Sequence, residues 1–234
     1  MTTTKTADCP VCGKFITFEV CELLPTVIPA HDWCADAKRA ELNAARDAEN
    51  WQATLNRMPD AYRAAKVANI NSEFSPIMEW NPEISHPGGV GLVAKSGKGK
   101  SCALACLVAR RRQSFLWWSG TEARDAHLEA NTADKDRDGA RRRWNHGAVV
   151  PVLVLDDISQ GKMTETWSAA LFDLLEDRSS RNLPTLWTCQ IGLTAFRQKI
   201  VRQNGGDNEQ AQAITQRLAR NTLIINTLPK PLFP

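Results

Sequence analysis

The sequence predicts an α/β protein built on a parallel sheet with helices on both faces, and three observations carry that prediction. From Val90 onward, short apolar runs alternate with helical stretches. A glycine- and lysine-rich turn, Ala94–Ser101 (AKSGKGKS), stands between the first of these runs and a helix. A later apolar run, VVPVLVLDD at 149–157, ends in paired acids.

The elements follow in order. Val90–Ala94 reads as a strand, Ser101–Arg112 as a helix and Ser114–Ser119 (SFLWWS) as a strand. Thr121–Trp144 reads as mostly helical, with a polar break around Asn131–Gly139. Val149–Leu155 is a strand, Thr164–Arg178 a helix, Thr185–Cys189 a strand, Gln210–Arg220 a helix and Thr222–Asn226 a last strand. The strands show no polar–apolar alternation, which means that both faces of the sheet are covered. Helices between such strands give a parallel order. Gly205–Asn208 reads as a flexible loop.

Upstream of this core, at 90–234, the chain divides into three further segments. Residues 1–35 are cysteine-rich and lack periodicity. Residues 36–70 read as helix, with Ala44, Ala48, Trp51, Leu55 and Met58 on one face. Pro59 breaks this stretch, and Asp60 is expected to cap a second helix. Residues 71–89 are rich in proline and end near Gly88-Gly89, so they read as an irregular linker.

The turn at 94–101 carries the first chemistry. The phosphate-loop pattern is Gly, four residues, then Gly-Lys-Ser/Thr between a strand and a helix. Gly99-Lys100-Ser101 fits it. Backbone N–H groups of Gly97, Lys98, Gly99, Lys100 and Ser101 can face phosphates, helped by the helix N-terminus, and Ser96 belongs to the same expected nucleotide-binding set. Lys100 would reach the β- and γ-phosphates of ATP, and Ser101 would hold Mg²⁺. The first glycine of the pattern is replaced by Ala94. Alanine is poor where φ must be positive, so a tilted loop or a lowered affinity is expected. The bland alternative is a lysine-rich surface turn.

The acidic strand end complements the loop. Placed beside the phosphate-loop strand, it would bring Asp156 to Mg²⁺ and Asp157 to the attacking water as general base. The bland alternative is a strand followed by an Asp-rich turn.

These pieces, in their order and spacing, resemble the AAA+ ATPases of the DnaC/DnaI helicase-loader clade, which includes the IstB-type transposition ATPases. The resemblance spans about residues 73–227 and rests on AKSGKGKS, LVLDDIS at 153–159, LFDLLEDRSSRNLPTLWTCQ at 171–190 and ITQRLAR at 214–220. It implies a P-loop AAA+ core without a C-terminal lid domain, and a phage or prophage source. Asp157 stands where many such ATPases carry Glu. Gln190 stands at the polar sensor position, usually Asn. Arg217 matches the arginine finger, which acts on ATP held by a neighbouring subunit and so implies self-assembly through a shared site. The bland alternative for Arg217 is an exposed helix arginine.

The N-terminus suggests a metal. Cys9-Pro10-Val11-Cys12 and His31-Asp32-Trp33-Cys34 repeat one spacing, eighteen residues apart. This set suits tetrahedral Zn²⁺ in a treble-clef-like module. Cys21 is a rival fourth ligand. The alternative is a set of free thiols. With few apolar residues here, metal would supply much of the folding energy. DnaI-type loaders also carry an N-terminal zinc module that meets the helicase.

Charge adds less. The 234 residues carry a net charge of +3, with 43% hydrophobic and 24% charged residues. That balance does not by itself call for nucleic acid. Arg110–Arg112 suit a helix C-terminus. Arg141, Arg142 and Arg143, next to Trp144, lie where the loader clade inserts an element that touches single-stranded DNA. Arginines could hold phosphates and an indole could stack on a base. Equally, Trp144 could be tucked into the core. No apolar run of about eighteen residues is present, so no membrane span is expected. No secretory signal precedes the seven cysteines, which fits a reducing cytoplasm, bacterial or phage-infected.

Three functions fit. The first is an ATP-dependent loader that binds a hexameric replicative helicase through residues 1–70 and places it on single-stranded DNA. The second is an IstB-like transposition or DNA-targeting ATPase. The third is a nucleotide-binding adaptor with weak hydrolysis.

Overall fold

A hairpin begins the chain. In the computed structural model, which describes residues 2–21, 31–132 and 137–229, β1 (Thr2–Asp8) and β2 (Phe15–Cys21) pair antiparallel, with Asp8 opposite Phe15. This regular element was not expected. β1 is TTTKTAD, whose threonines favour extended backbone but whose faces carry no apolar pattern. Helix α1 (Asp32–Leu55) follows. Every residue from Asp36 to Asn50 is exposed, including Ala44 and Ala48 of the expected stripe. Of that stripe only Met58, beyond the helix, is buried. The chain divides into two compact units, Met1–Ala53 and Thr54–Pro234.

The second unit starts with α2 (Asp60–Arg63). Pro59 occupies the cap position, and Asp60 sits in the first turn, where it pairs with Arg63 at 2.7 Å. Residues 71–89 are more ordered than their prolines suggest. Ser72–Glu79 forms a 3-10 helix capped by Asn71. Phe74, Ile77, Met78 and Trp80 are buried. Pro76 only forbids part of a hydrogen-bond ladder; the apolar side chains still anchor this segment against the helix that follows the phosphate loop.

Five strands make the sheet: β3 (Gly89–Val93), β4 (Phe115–Ser119), β5 (Val152–Asp156), β6 (Thr185–Cys189) and β7 (Thr222–Asn226), in the order β4-β5-β6-β3-β7. All neighbouring pairs are parallel. β3, β5 and β6 are buried along their whole length, as unalternating apolar runs require. The expected adjacency of the acidic strand and the phosphate-loop strand is not seen: β6 lies between them. Gly91 is needed at the centre of β3, because a Cβ there would meet the Trp187 ring at 2.2 Å.

Helices α3 (Lys100–Arg111), α4 (Gly120–Asn131), α5 (Arg137–Val149), α6 (Glu165–Ser180), α7 (Leu193–Gln203) and α8 (Asn208–Ala219) connect the strands. α5 runs through Val149, so β5 starts three residues later than expected. α7 was not expected at all; Phe196 and Ile200, one turn apart, are its buried anchors. Asp207, read as part of a flexible loop, caps α8 by accepting the Gln210 N–H at 2.9 Å. The main core gathers Leu153, Leu155, Trp167, Leu171, Trp187, Phe196 and Ile214 from the sheet, α6, α7 and α8.

Arg178 is fully buried in this unit. It donates to Thr185 Oγ1 at 3.0 Å and to the carbonyls of Gly147, Val150 and Pro184 at 2.8, 2.9 and 2.6 Å. One guanidinium thus ties α6 to the end of α5 and the start of β6. Burial pushes its pKa down to about 9. Among the described residues, no helix is long and apolar enough to cross a membrane.

Candidate functional site

The parallel strands end on a common edge, where open α/β sheets place their ligands. β3 delivers the loop 94–99 there and α3 begins with Lys100. Gly97 and Gly99 have φ of +76° and +85°, a region open to glycine. Ala94 is not among the described residues with positive φ. The expected penalty for alanine therefore does not arise. Ala94 is buried, and its N–H donates to Cys189 O at 3.2 Å.

Lys100 folds back over the loop. Its ammonium donates to Ala94 O at 2.8 Å and Lys95 O at 3.1 Å. Burial lowers its pKa, while Asp157 and Asp156 oppose that shift.

Asp156 is the hub. Its Oδ1 accepts from Ser101 Oγ at 2.7 Å and from Thr188 Oγ1 at 2.7 Å. Thr188 also accepts the Asp157 N–H at 2.7 Å. Thr188 was missed in the sequence, where a threonine in an apolar strand reads as packing. Its place is set by the interposed β6: Leu155 pairs with Trp187, so the next residue of each strand, Asp156 and Thr188, come side by side. Ser101 and Asp156 form a hard oxygen pair, the donor type that Mg²⁺ takes.

Asp157 has φ +54°, rare for a residue with a Cβ and frequent at functional turns. Ser159 Oγ donates to its Oδ1 at 2.8 Å, and the Gln190 amide donates to its Oδ2. Asp157 and Gln190 are thus in direct contact. With Ser96, Gly97, Gly99, Lys100, Ser101, Asp156 and Thr188 they line one cavity of about 450 Å³, which Tyr62 also borders. Tyr62, too, was missed in the sequence. Its distance from the loop, 32 residues ahead of Ala94, hides it.

Arg217 lies elsewhere. It pairs with Glu176 of the same chain, and its guanidinium sits 5.8 Å from the Phe172 ring. It does not line the cavity among the described residues. Arg141, Arg142 and Arg143 are exposed on α5, with Arg143 paired to Glu129 at 3.0 Å. Trp144 is not presented with them. It stacks on Trp118 at 5.9 Å and meets the edges of His127 at 5.0 Å and Trp167 at 6.5 Å. The base-stacking alternative for this indole is therefore replaced by the core alternative.

A second site lies in the first unit. The ligand atoms of Cys9, Cys12, His31 and Cys34 all fall within 4.8 Å of one another. Cys9 and Cys12 sit in the hairpin turn, closed by Gly13 N–H to Cys9 O at 2.9 Å with Gly13 at φ +72°. Cys34 is in the first turn of α1 and His31 just precedes it. Tetrahedral zinc with ~2.3 Å sulfur bonds needs ligand atoms about 3.8 Å apart, and Cys12 Sγ already lies 3.6 Å from His31 Nδ1. Burial opposes ionisation of Cys9, but backbone N–H groups at Cys12 and Val11 and the His31 group bring its thiol down to about 6. Cys34 goes the other way, to about 12, through burial and then the neighbouring Cys12 and Cys9 sulfurs. A buried thiol such as Cys34, whose ionisation its neighbouring sulfurs oppose, is what a dication relieves. The donor set fits Zn²⁺. The Cys21 side chain lies outside the described residues, and so does that rival ligand set.

No protein-family model and no curated protein matches the sequence. Solved structures do match the fold. A DnaI structure aligns over 72% of this chain and 94% of its own, with TM-score 0.58 and 19% identity. The DnaC helicase loader aligns over 72% and 99%, with TM-score 0.55 and 14% identity. The replication initiator DnaA bound to AMPPCP and single-stranded DNA aligns over 72% of this chain and 50% of its own, with TM-score 0.52 and 15% identity. With its five-stranded parallel sheet between helices, the chain has the α/β fold of the AAA+ core found in DnaC and DnaI.

Proposed function

We propose that this chain is an ATPase that binds a hexameric replicative helicase through residues 1–70 and remodels or loads it on single-stranded DNA. One observation carries the ATPase part: the Ser101 and Thr188 hydroxyls converge on Asp156 Oδ1, both at 2.7 Å, in the cavity that also holds Lys100 and Asp157. The loader part draws on the folds it shares with a helicase loader and with an initiator seen with a nucleotide analogue and single-stranded DNA.

In this reading Lys100 leaves the carbonyls of Ala94 and Lys95 for the β- and γ-phosphates of ATP. Ser101 and Asp156 hold Mg²⁺, which when bound offsets charge on the phosphate oxygens. Asp157 takes the proton of the attacking water, and Gln190 orients that water or the γ-phosphate. Arg217 leaves Glu176 to reach ATP held by a neighbouring subunit, and Arg141–Arg143 hold DNA phosphates. Zn²⁺ on Cys9, Cys12, His31 and Cys34 holds the first unit together.

A second reading has its own observation. Both carboxylate oxygens of Asp157 are engaged, by Ser159 and Gln190. A base so held favours a nucleotide-binding adaptor with weak hydrolysis. Steady-state turnover tests both. Lys100→Ala is expected to lower ATP hydrolysis about a hundredfold, the scale of losing one preorganised charge donor. A variant as fast as wild type overturns the ATPase. Wild type that binds ATP yet turns over no faster than Lys100→Ala selects the adaptor. Failure of the full chain to co-precipitate any helicase encoded by its source overturns the loader.

A further inference from the structure

We infer that Ser159 is a positioning residue for hydrolysis at this site: its hydroxyl locks the Asp157 carboxylate and the Gln190 amide into one unit. The inference rests on the ATPase reading above, in which Asp157 takes the proton of the attacking water. Asp157 and Gln190 line the cavity, whereas Ser159 is not among the described residues that do. It therefore acts on the reaction through those two side chains.

Three hydrogen bonds close a ring through Asp157, Ser159 and Gln190. The Gln190 backbone N–H donates to Ser159 Oγ at 3.2 Å. Ser159 Oγ donates to Asp157 Oδ1 at 2.8 Å. The Gln190 side-chain amide completes the ring at Asp157 Oδ2. One hydroxyl thus accepts from the residue that follows β6 and donates to the residue that follows β5. Hydroxyls are among the few side-chain groups that do both, and an alanine here would break both links at once.

The hydroxyl is held for the task. Ser159 is buried, and the backbone around it is fixed. Ile158 N–H donates to Thr188 O at 3.0 Å and Gln160 N–H to Asp157 O at 3.0 Å. Lys199 Nζ of α7 donates to Ser159 O at 2.5 Å. These bonds keep Ser159 Oγ over the carboxylate of Asp157, whose own backbone is turned to φ +54°.

A carboxylate left alone turns freely, because its terminal torsion has no sharp minimum. General-base work needs a lone pair set in line with the water O–H. Each carboxylate oxygen has about two lone-pair sites. Ser159 and Gln190 take one on each oxygen, which fixes the plane of the group and leaves one on each for water. The same ring fixes the Gln190 side chain, so acid and amide are set together. The adaptor reading takes these contacts as blocking the base, and it predicts the opposite sign when the hydroxyl is removed.

The test measures steady-state hydrolysis of ATP and binding of the non-hydrolysable AMPPCP, both with Mg²⁺, in full-length wild type, Lys100→Ala, Ser159→Ala, Gln190→Ala and the Ser159→Ala/Gln190→Ala pair. Ser159→Ala is expected to lower kcat about tenfold or more, the scale on which misplacing a reacting group costs rate. KM and AMPPCP affinity should stay as in wild type, the pattern of a group that acts in the transition state. The pair should lose less than the product of the two single losses, because both residues hold one carboxylate. Ser159→Ala turning over as fast as wild type, or faster, would overturn the inference. So would a matching loss of AMPPCP affinity and kcat, which marks a distorted cavity, and so would multiplicative losses in the pair. Wild type turning over no faster than Lys100→Ala would overturn the ATPase reading, and the inference with it; that failure shows in a different variant and is told apart.

Discussion

The two units of this chain are stabilised in opposite ways. From Thr54 on, the molecule rests on apolar burial: three strands are buried end to end and Trp187, Phe115 and Phe196 are sealed from solvent. Before Ala53, the buried residues among those described are Cys9 and Cys34. Phe15 is 77% exposed and α1 shows solvent a long polar surface. A hairpin and a helix without a core cannot offset the entropy of ordering them. The difference predicts that, on the zinc reading proposed above, the first unit's structure would depend on a metal held by Cys9, Cys12, His31 and Cys34, whereas the second's would not.

Metal removal is the sharpest way to break this contrast. Structural zinc contributes about 10–16 kcal/mol of apparent binding energy in small modules. Chelation, or Cys9→Ser, is expected to abolish the protease resistance of residues 1–53 and to release one zinc per chain. The melting transition of the second unit should stay in place. Limited proteolysis and calorimetry of the full chain read both outcomes. A first unit that resists protease equally with and without metal would refute the contrast.

The same contrast explains what was legible in the sequence. Buried strands announce themselves, because VLVLD and TLWTC have nowhere to sit but a sheet interior. The placement of the 94–99 turn between β3 and α3, and of Asp156 at the end of β5, was legible because the strand–turn–helix and strand–acid patterns are local. The hairpin at 2–21 was not: β1 is threonine-rich with no apolar face, although β2, FITFEVC, alternates Ile16, Phe18 and Val20 with Thr17 and Glu19 and so did carry a strand signal that was missed. Nor was Thr188: its role depends on β6 standing between β3 and β5, a tertiary fact. The segment 71–89 misled through its prolines, although Phe74, Ile77 and Trp80 carry an anchoring pattern. Arg217 and Arg141–Arg143 are placed by the fold but not joined to the cavity. The roles proposed for them depend on molecules that one chain does not contain.

Within the second unit the contrast can be sharpened at Arg178, its one fully buried cation among the described residues. The guanidinium satisfies three backbone carbonyls and a hydroxyl. Arg178→Met fills similar volume but strands those acceptors, each costing about 1–3 kcal/mol when left unmade. With partial rehydration the expected loss is about 3–4 kcal/mol, a large fraction of the stability of a small domain. Thermal unfolding should show the second unit's transition falling by many degrees. Zinc retention and proteolytic protection of residues 1–53 should not change. Arg178→Lys should recover little, since an ammonium cannot present the same planar fork.

Acid acts on both units, and the smaller response is in the second. His127 packs its edge on Trp144 at 5.0 Å and lies near the Asn131 amide. Burial lowers its pKa below 6.5, and Asp173 only partly opposes this. The unfolded chain therefore takes up a proton at a higher pH than the folded one. Stability from the neutral ring is complete above the unfolded value near 6.5 and declines as pH falls towards and below the folded value. The expected effect between pH 7.5 and 5.5 is a modest drop in the melting temperature of the second unit, discounted because the ring is only half-buried. His127→Phe keeps the aromatic edge and removes the proton site, so its melting temperature should fall less over the same range. A variant that loses as much as wild type would assign the acid response to other groups. The first unit should respond more strongly over this range, because the proposed zinc would have to displace the proton of Cys34, whose pKa is raised to about 12, and its hold would weaken as pH falls. The two units would then separate in one titration: metal release in the first, and a small shift of the transition in the second that His127→Phe diminishes.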